Sequence, residues 1–462
     1  MERTHFPASF VWGSATASYQ IEGAVAEGGR GPSIWDTFSH TPGRVLNGDT
    51  GDVADDHYHR VSDDVALMTE LGLDAYRFSI AWPRIQPDGT GRANHAGVAF
   101  YRGLAEQLLE RGITPWATLY HWDLPQALED RDGWLNRDTA LRFAEYAALV
   151  ADELGDLVSH WITLNEPWCS AFLGYGSGHH APGRQEGSRA AHAAHHLLLG
   201  HGLAVPALRA ALPRDAQVGI TLNLYSVRAA TDSEADRDAA RRIDGLSNRF
   251  FLDPVLRGTY PEDVIADLGE HEWFEKNAGA EDLAAIAAPL DFLGVNYYSR
   301  HTVRDGGIEA RAPEREQGAY PGSETVEFVD TGAPRTFAGW PIHPDGLVDV
   351  LEQANAIAPA LPLYVTENGA TYEDEVAPDG GIHDVERTDY LQKHIAACKD
   401  AIDRGLPLSG YFVWSLLDNF EWAWGYARRF GIVHVDYGTQ ARTPKDSALW
   451  LKGFLKGPSA GR

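Results

Sequence analysis

The sequence predicts a single closed (β/α)8 barrel, one domain over residues 1–462, on three observations. Eight short apolar runs recur along the chain, helical patterns lie between them, and no Ser- or Pro-rich linker interrupts the series. A chain of 462 residues would divide into about three average domains, yet barrels of this kind commonly exceed that unit as one. The same alternation could also build an open doubly wound sheet, which is the second choice.

The runs are "FVWGSAT", "AYRFSIAW", "ITPWATLYH", "WITLNEP", "QVGITLNLY", "DFLGVNYY", "PLYVTENG" and "GYFVWSLLD". Most are nearly continuous in hydrophobicity, as parallel strands covered on both faces must be. Between them, "VSDDVALMTELGL" places Val61, Val65, Met68 and Leu71 at helical spacing, and "YRGLAEQLLERG" ends in a helix-stopping glycine. The segment from Arg304 to Arg335, rich in Gly, Pro and charge, reads as a loop insertion over the barrel mouth.

Composition narrows the function. With 39 basic against 66 acidic side chains the net charge is −27, which repels nucleic acid and anionic membrane surfaces. No stretch approaches the length of a transmembrane helix, and the N-terminus lacks a basic segment leading into a sustained apolar run. Two cysteines, Cys169 and Cys398, can build neither a disulfide framework nor a four-thiolate metal site, so a cytoplasmic location is expected. The 14 tryptophans exceed what packing usually recruits, and some are expected to face a ligand.

In such a barrel the C-terminal strand ends converge on one face, so the residues that end the runs describe one pocket. Gln20 follows the first run and Arg77 lies within the second; His121 and Trp122 follow the third. Asn165 and Glu166 end the fourth, Asn223 the fifth, Asn296 and Tyr298 the sixth, Glu367 the seventh and Trp414 the eighth. Amides and acids hydrogen-bond hydroxyls while tryptophan faces stack on the apolar side of a pyranose ring, so the inventory suits a sugar. Two carboxylates also suffice for glycosidic cleavage, one attacking the anomeric carbon and the other protonating the leaving oxygen. One strand-end glutamate is as readily a salt-bridged terminus; two, each beside an asparagine, favour catalysis.

Six stretches, "FVWGSATASYQIEG", "YHWDLP", "TLNEPW", "GVNYY", "VTENGA" and "WSLLDNFEW", resemble the motifs of glycoside hydrolase family 1, the β-glucosidase-like retaining enzymes. They occur in that family's order, and the resemblance runs from Phe10 to about Trp450. It implies that Glu166 is the acid/base and Glu367 the nucleophile, with Arg77 and Tyr298 holding Glu367 ionised. It also implies that Gln20, His121, Trp122, Asn165, Asn296, Trp414, Glu421 and Trp422 line the terminal-sugar subsite, closed by Phe430. Trp340 completes the substrate-binding set and, with Trp168, Leu173, His180 and Asn223, shapes the leaving-group side. Members that cleave thioglycosides carry glutamine at the acid/base position, which here is Glu166. The implied activity is retaining hydrolysis of terminal β-D-glucosyl residues from aryl or alkyl β-glucosides and short oligosaccharides such as cellobiose. The expected partners are small β-glycosides or oligosaccharides, not nucleic acid or membrane, with no cofactor and no metal; the sequence leaves the oligomeric state open.

Rival constellations are weaker. His192 and His196 stand at i,i+4, but no glutamate follows the first as in a metalloprotease helix. "GYGSGHHAPG" lacks the spacing of a dinucleotide loop, and Cys169 has no arranged base. "TDSEADRDAARR" reads as a solvated helix face. Asp418 is the best rival carboxylate, and the resemblance assigns it to bracing the "DNFEW" loop; Arg428 and Arg429 read as a surface pair.

Overall fold

The computed structural model describes residues 2–307 and 317–457. Eight parallel strands form a closed barrel: β1 (Val11–Ala15), β2 (Ala75–Ser79), β3 (Thr114–Tyr120), β4 (His160–Asn165), β5 (Gln217–Asn223), β6 (Phe292–Asn296), β7 (Leu363–Asn368) and β8 (Leu408–Trp414). Each pairs with its sequence neighbours, and β1 closes the ring on β8, Val11 opposite Gly410 and Ala15 opposite Trp414. That last pairing rules out the open sheet.

The runs become strands because both faces are buried. The floor of the barrel is aromatic: Trp116 on β3 meets Phe292 on β6, Tyr364 on β7 and Phe412 on β8 at ring-centre distances of 4.9–5.3 Å. Neighbouring strands make room with glycine. A Cβ at Gly13 would lie 2.3 Å from the Phe412 ring, one at Gly219 2.6 Å from Phe292, and one at Gly410 2.7 Å from Tyr364. This plug seals the N-terminal end and leaves the other end to the site.

The predicted helices form as their periodicity requires. His57–Leu71 buries Val61, Val65, Met68 and Leu71, and ends where left-handed Gly72 donates its N–H back to Met68 O at 3.1 Å. His95–Glu110 buries Val98, Tyr101, Leu104, Ala105 and Leu108. Two expectations need correction. The run "AYRFSIAW" is not all strand: β2 stops at Ser79 and Trp82–Ile85 is a helical turn, since Pro83 sits at its start. The segment from Arg304 to Arg335 is not merely a loop, because Val326–Phe328 pairs antiparallel with Arg300–Asp305, which pairs parallel with Ser226–Ala229, making a three-stranded sheet. Residues 308–316 of that segment lie outside the described residues. Among the described residues, no helix is long and apolar enough to cross a membrane.

Candidate active site

The strand ends carry most of the site, and two irregularities aim it. Between Ile162 and Asn165 β4 slips in register against β5, and between Val365 and Glu367 β7 slips against β6. In each bulge the strand has one residue more than its partner, so the ladder breaks and side chains are redirected. On β7 the result is that Thr366 and Glu367 share Asn296 as their neighbour on β6. Glu166, Trp122 and Trp422 all have left-handed backbones, with φ of 48°, 76° and 50°. Such conformations cost a non-glycine residue about 1–3 kcal/mol each, so the surrounding packing holds them in place.

Glu367 is 3% exposed and its two oxygens are both engaged. Arg77 Nη1 donates to Oε1 at 2.6 Å, and the Tyr298 hydroxyl donates to Oε2 at 2.6 Å. Burial pushes this carboxyl up, while the Arg77 charge, the Tyr298 hydroxyl and Asn296 favour its ionised form. Tyr298 stays a phenol, its own ionisation pushed well up by burial and by Glu367. Glu166 has gentler partners: Asn296 Nδ2 donates to Oε1 at 2.7 Å and the Cys169 thiol to Oε2 at 3.2 Å. Burial first, then the Glu367 charge, raise its carboxyl from 4.5 to about 8. Glu166 is therefore the member of the pair that keeps a proton at neutral pH, because only Glu367 touches a guanidinium.

Amides knit the pair together. Arg77 Nη2 reaches Asn165 Oδ1 at 2.6 Å, Asn165 Nδ2 meets His121 Nε2 at 3.1 Å, and the Trp122 indole donates to Asn165 O at 2.9 Å. Burial and the Arg77 charge push His121 well below its usual range, so it is neutral and Nε2 accepts. On the opposite wall, Gln20 Nε2 donates to Asn419 Oδ1, Phe420 O and Glu421 Oε2 at 2.9–3.2 Å. Glu421 is pushed up to about 8 by burial and by the Glu367 charge. Gln20 Oε1, His121 Nδ1, Trp168 Nε1 and Asn223 Nδ2 are among the buried polar atoms with no hydrogen-bond partner. Buried polar groups are normally paired, which makes these atoms available to a bound ligand or water.

The aromatic walls assemble as the residue types suggest. Trp122 and Trp422 lie 4.5 Å apart, and His121 stacks on Trp414 at 5.7 Å. Phe430 packs against Tyr298 at 5.9 Å and Trp340 at 5.8 Å, closing one side. Trp168 meets Tyr320 at 5.2 Å, so the long segment after β6 does reach the rim. Leu173 is half-buried on Cys169–Gly176, and Asn223 pairs with Asn296 across β5 and β6. His180 is half-buried and packs on Trp122 at 5.4 Å and on Trp35 at 5.4 Å, next to the wall that Trp122 shares with Trp422.

Asp418 is a brace, accepting from Lys445 Nζ, Arg429 Nη1 and the Gly431 N–H at 2.7–3.1 Å. Arg428 and Arg429 are thus not a surface pair: Arg429 is bound to Asp418, and Arg428 lies over the Phe337 ring at 4.2 Å. The helix histidines diverge, His192 to Glu270 and His196 to Trp134 O, and among the described residues no three potential ligands are placed to hold a metal. Sequence reasoning passed over the Cys169 contact, Asn419, Trp35, Thr221 and Thr366. Asn419 stood inside "WSLLDNFEW", Thr366 inside "VTENGA" and Thr221 inside "QVGITLNLY", so the stretches were marked but not these residues.

Comparison with known proteins agrees with this geometry. The profile of Glycosyl hydrolase family 1 matches residues 2–458. A bifunctional beta-D-glucosidase/beta-D-fucosidase of Bifidobacterium breve is 49% identical, covering 98% of this chain and 99% of its own. Thermostable beta-glucosidase B of Thermobispora bispora is 51% identical over 98% of this chain and 90% of its own. The solved family 1 β-glucosidase of Thermotoga maritima, 47% identical, superposes with a TM-score of 0.92 over 98% of both chains, and it has also been solved with glucoimidazole and with deoxynojirimycin. The chain belongs to glycosyl hydrolase family 1 and is a glycoside hydrolase.

Proposed function

We propose that the protein is a retaining β-glucosidase that removes terminal β-D-glucosyl residues from aryl and alkyl β-glucosides and from short oligosaccharides such as cellobiose. The observation that carries this reading is the unequal treatment of two buried carboxyls: Glu367 is paired with Arg77 and Tyr298, and Glu166 is held protonated up to about pH 8. Glu367 attacks the anomeric carbon while Glu166 delivers its proton to the leaving oxygen, giving a covalent glycosyl-enzyme. Formation of the ester removes the Glu367 charge, which lowers the affinity of Glu166 for a proton. Glu166 then takes a proton from water, whose oxygen attacks the sugar and frees Glu367.

Asn296 adjoins both carboxyl-bearing residues: its amide donates to Glu166 Oε1 at 2.7 Å, and its backbone pairs with Glu367 across β6 and β7. A retaining mechanism needs the two carboxyls close, about 5–5.5 Å apart, with no room for an intervening water. Trp122, Trp414 and Trp422 supply the stacking faces, and Gln20, His121, Asn165 and Glu421 the hydroxyl partners. The glucosidase names of the relatives and the sugar-like ligands of the Thermotoga maritima enzyme support glucose as the glycone. Two unpaired buried cysteines support a reducing, cytoplasmic setting, and the unbroken barrel supports one catalytic domain.

The test combines stereochemistry with trapping. NMR of the first product should show the β-anomer, and a 2-fluoro glucoside with a good leaving group should label Glu367. Glu367→Gly should lose turnover and regain it with azide on an activated substrate. An α-anomer as first product, or a sugar ester on another residue, refutes the assignment.

A further inference from the structure

The hydrogen bonds around Glu166 form a chain whose direction is set at one end. Arg77 carries donors only, so Asn165 Oδ1, 2.6 Å from its Nη2, must accept. The atom meeting that oxygen from the other side, 3.1 Å away on Asn296, is therefore the amide nitrogen. The same nitrogen donates to Glu166 Oε1 at 2.7 Å. Asn296 Oδ1 points the other way, where Thr366 Oγ1 donates to it at 2.7 Å. Thr366 in turn accepts from Thr221 Oγ1 at 3.2 Å.

Both threonines are fully buried, on β5 and β7 to either side of β6, and they meet over Gly294. A Cβ at position 294 would lie 2.3 Å from Thr221 Oγ1 and 2.8 Å from Thr366 Oγ1. Glycine in the middle of β6 thus leaves the space that the hydroxyl pair occupies.

We infer that Thr366, supported by Thr221, is a positioning residue that holds the Asn296 amide with its nitrogen against Glu166 and so confines the acid's proton to Oε2. The inference rests on Glu166 being the acid/base. While Oε1 accepts the Asn296 N–H, the proton of the acid form belongs on Oε2. The neighbour of Oε2 among the described residues is the Cys169 thiol, which donates to it at 3.2 Å rather than taking its proton, so the proton remains free for a leaving oxygen. A reversed amide would set Asn296 Oδ1 against Oε1, take up the proton there and hold it from the substrate. It would also face Asn165 Oδ1, oxygen to oxygen. Arg77 and Thr366 therefore grip the amide from opposite ends.

The experiment compares Thr366→Val, Thr366→Ser, Thr221→Val and Glu166→Ala on two substrates, an alkyl β-glucoside and a dinitrophenyl β-glucoside, following kcat/KM against pH. Thr366→Val should lose about ten- to a hundredfold on the alkyl glucoside, which needs the proton, and less than about threefold on the dinitrophenyl glucoside, which does not. Its basic limb on the alkyl substrate should move to higher pH, because a reversed amide favours protonated Glu166. Thr366→Ser should behave as the parent, and Thr221→Val should follow Thr366→Val by a smaller amount; if Thr366→Val does not fold, these two carry the comparison. Equal losses on both substrates with an unmoved basic limb, or a Ser variant as impaired as Val, overturn the relay while leaving the proposed function intact. If Glu166→Ala itself shows no dependence on the leaving group, the acid/base assignment falls and the relay falls with it.

Discussion

Replacing Glu421 by glutamine should make the protein more stable at alkaline pH while crippling it as an enzyme. Glu421 is 7% exposed, its side-chain donor among the described residues is Gln20 Nε2 at 3.2 Å, and burial with the nearby Glu367 charge raises it from 4.5 to about 8. The folded protein therefore keeps a proton that the unfolded chain gives up once pH passes 4.5. Stability from this group is fully present below pH 4.5, falls as pH rises, and is spent at about pH 8. At about 1.4 kcal/mol per pH unit the interval is worth up to about 5 kcal/mol. Glutamine has no proton to lose, so the stability of Glu421→Gln relative to the parent should climb between pH 5 and 8 and then level off. Urea unfolding of both proteins at unit pH steps measures it. A difference that stays flat across this range would show that Glu421 is ionised in the folded state, refuting the burial argument. In the same variant kcat/KM should fall about ten- to a hundredfold above pH 8, where the parent's ionised carboxylate offers two acceptor oxygens and the amide one.

The same carboxyl bears on substrate choice: nitrophenyl β-glucoside should be hydrolysed well and its 6-phosphate poorly, with discrimination steepening above pH 8 as Glu421 ionises. A better kcat/KM for the phosphate would overturn the assignment of Glu421 to the glycone wall. Lys445→Met should destabilise by about 3–5 kcal/mol, because it strips the buried ammonium from Asp374 at 2.5 Å and Asp418 at 2.7 Å; calorimetry would show it as a lowered Tm. For the parent enzyme, the basic limb of kcat/KM should fall near pH 8, as expected of an acid catalyst raised by burial and by Glu367, and a limb near pH 5 would contradict that environment.

The parts of the fold that depend on local pattern were readable from the residues. The eight apolar runs became β1 to β8, and the helix carrying Val61, Val65, Met68 and Leu71 formed with the predicted face inward. The residues of the strand-end inventory come together because a barrel brings its C-terminal strand ends to one face whatever their separation in the chain, as with Glu166 and Glu367 on either side of Asn296. Where reading failed, long-range contacts decide. Arg429 is held by Asp418 and Arg428 by Phe337, neither of which a linear pattern can announce. The sheet joining Ser226–Ala229, Arg300–Asp305 and Val326–Phe328 is likewise built from strands far apart in the chain.

Alone, the sequence determined the residue types and their order along the chain: two glutamates beside asparagines, tryptophans and a histidine at strand ends, and the alternation that makes a barrel the economical way to bury eight apolar runs. Tertiary structure decided what those residues are chemically. The bulges at Asn165 and Glu367 turn side chains that strict alternation would send elsewhere, and left-handed backbones at Trp122, Glu166 and Trp422 are tolerated only because packed neighbours hold them. Proton affinity is decided there too. Glu166 and Glu367 are the same residue type with the same intrinsic acidity, and they differ because one touches Arg77 and the other an amide and a thiol. Burial magnifies that difference, since a charge withdrawn from water depends on the few partners the fold places beside it.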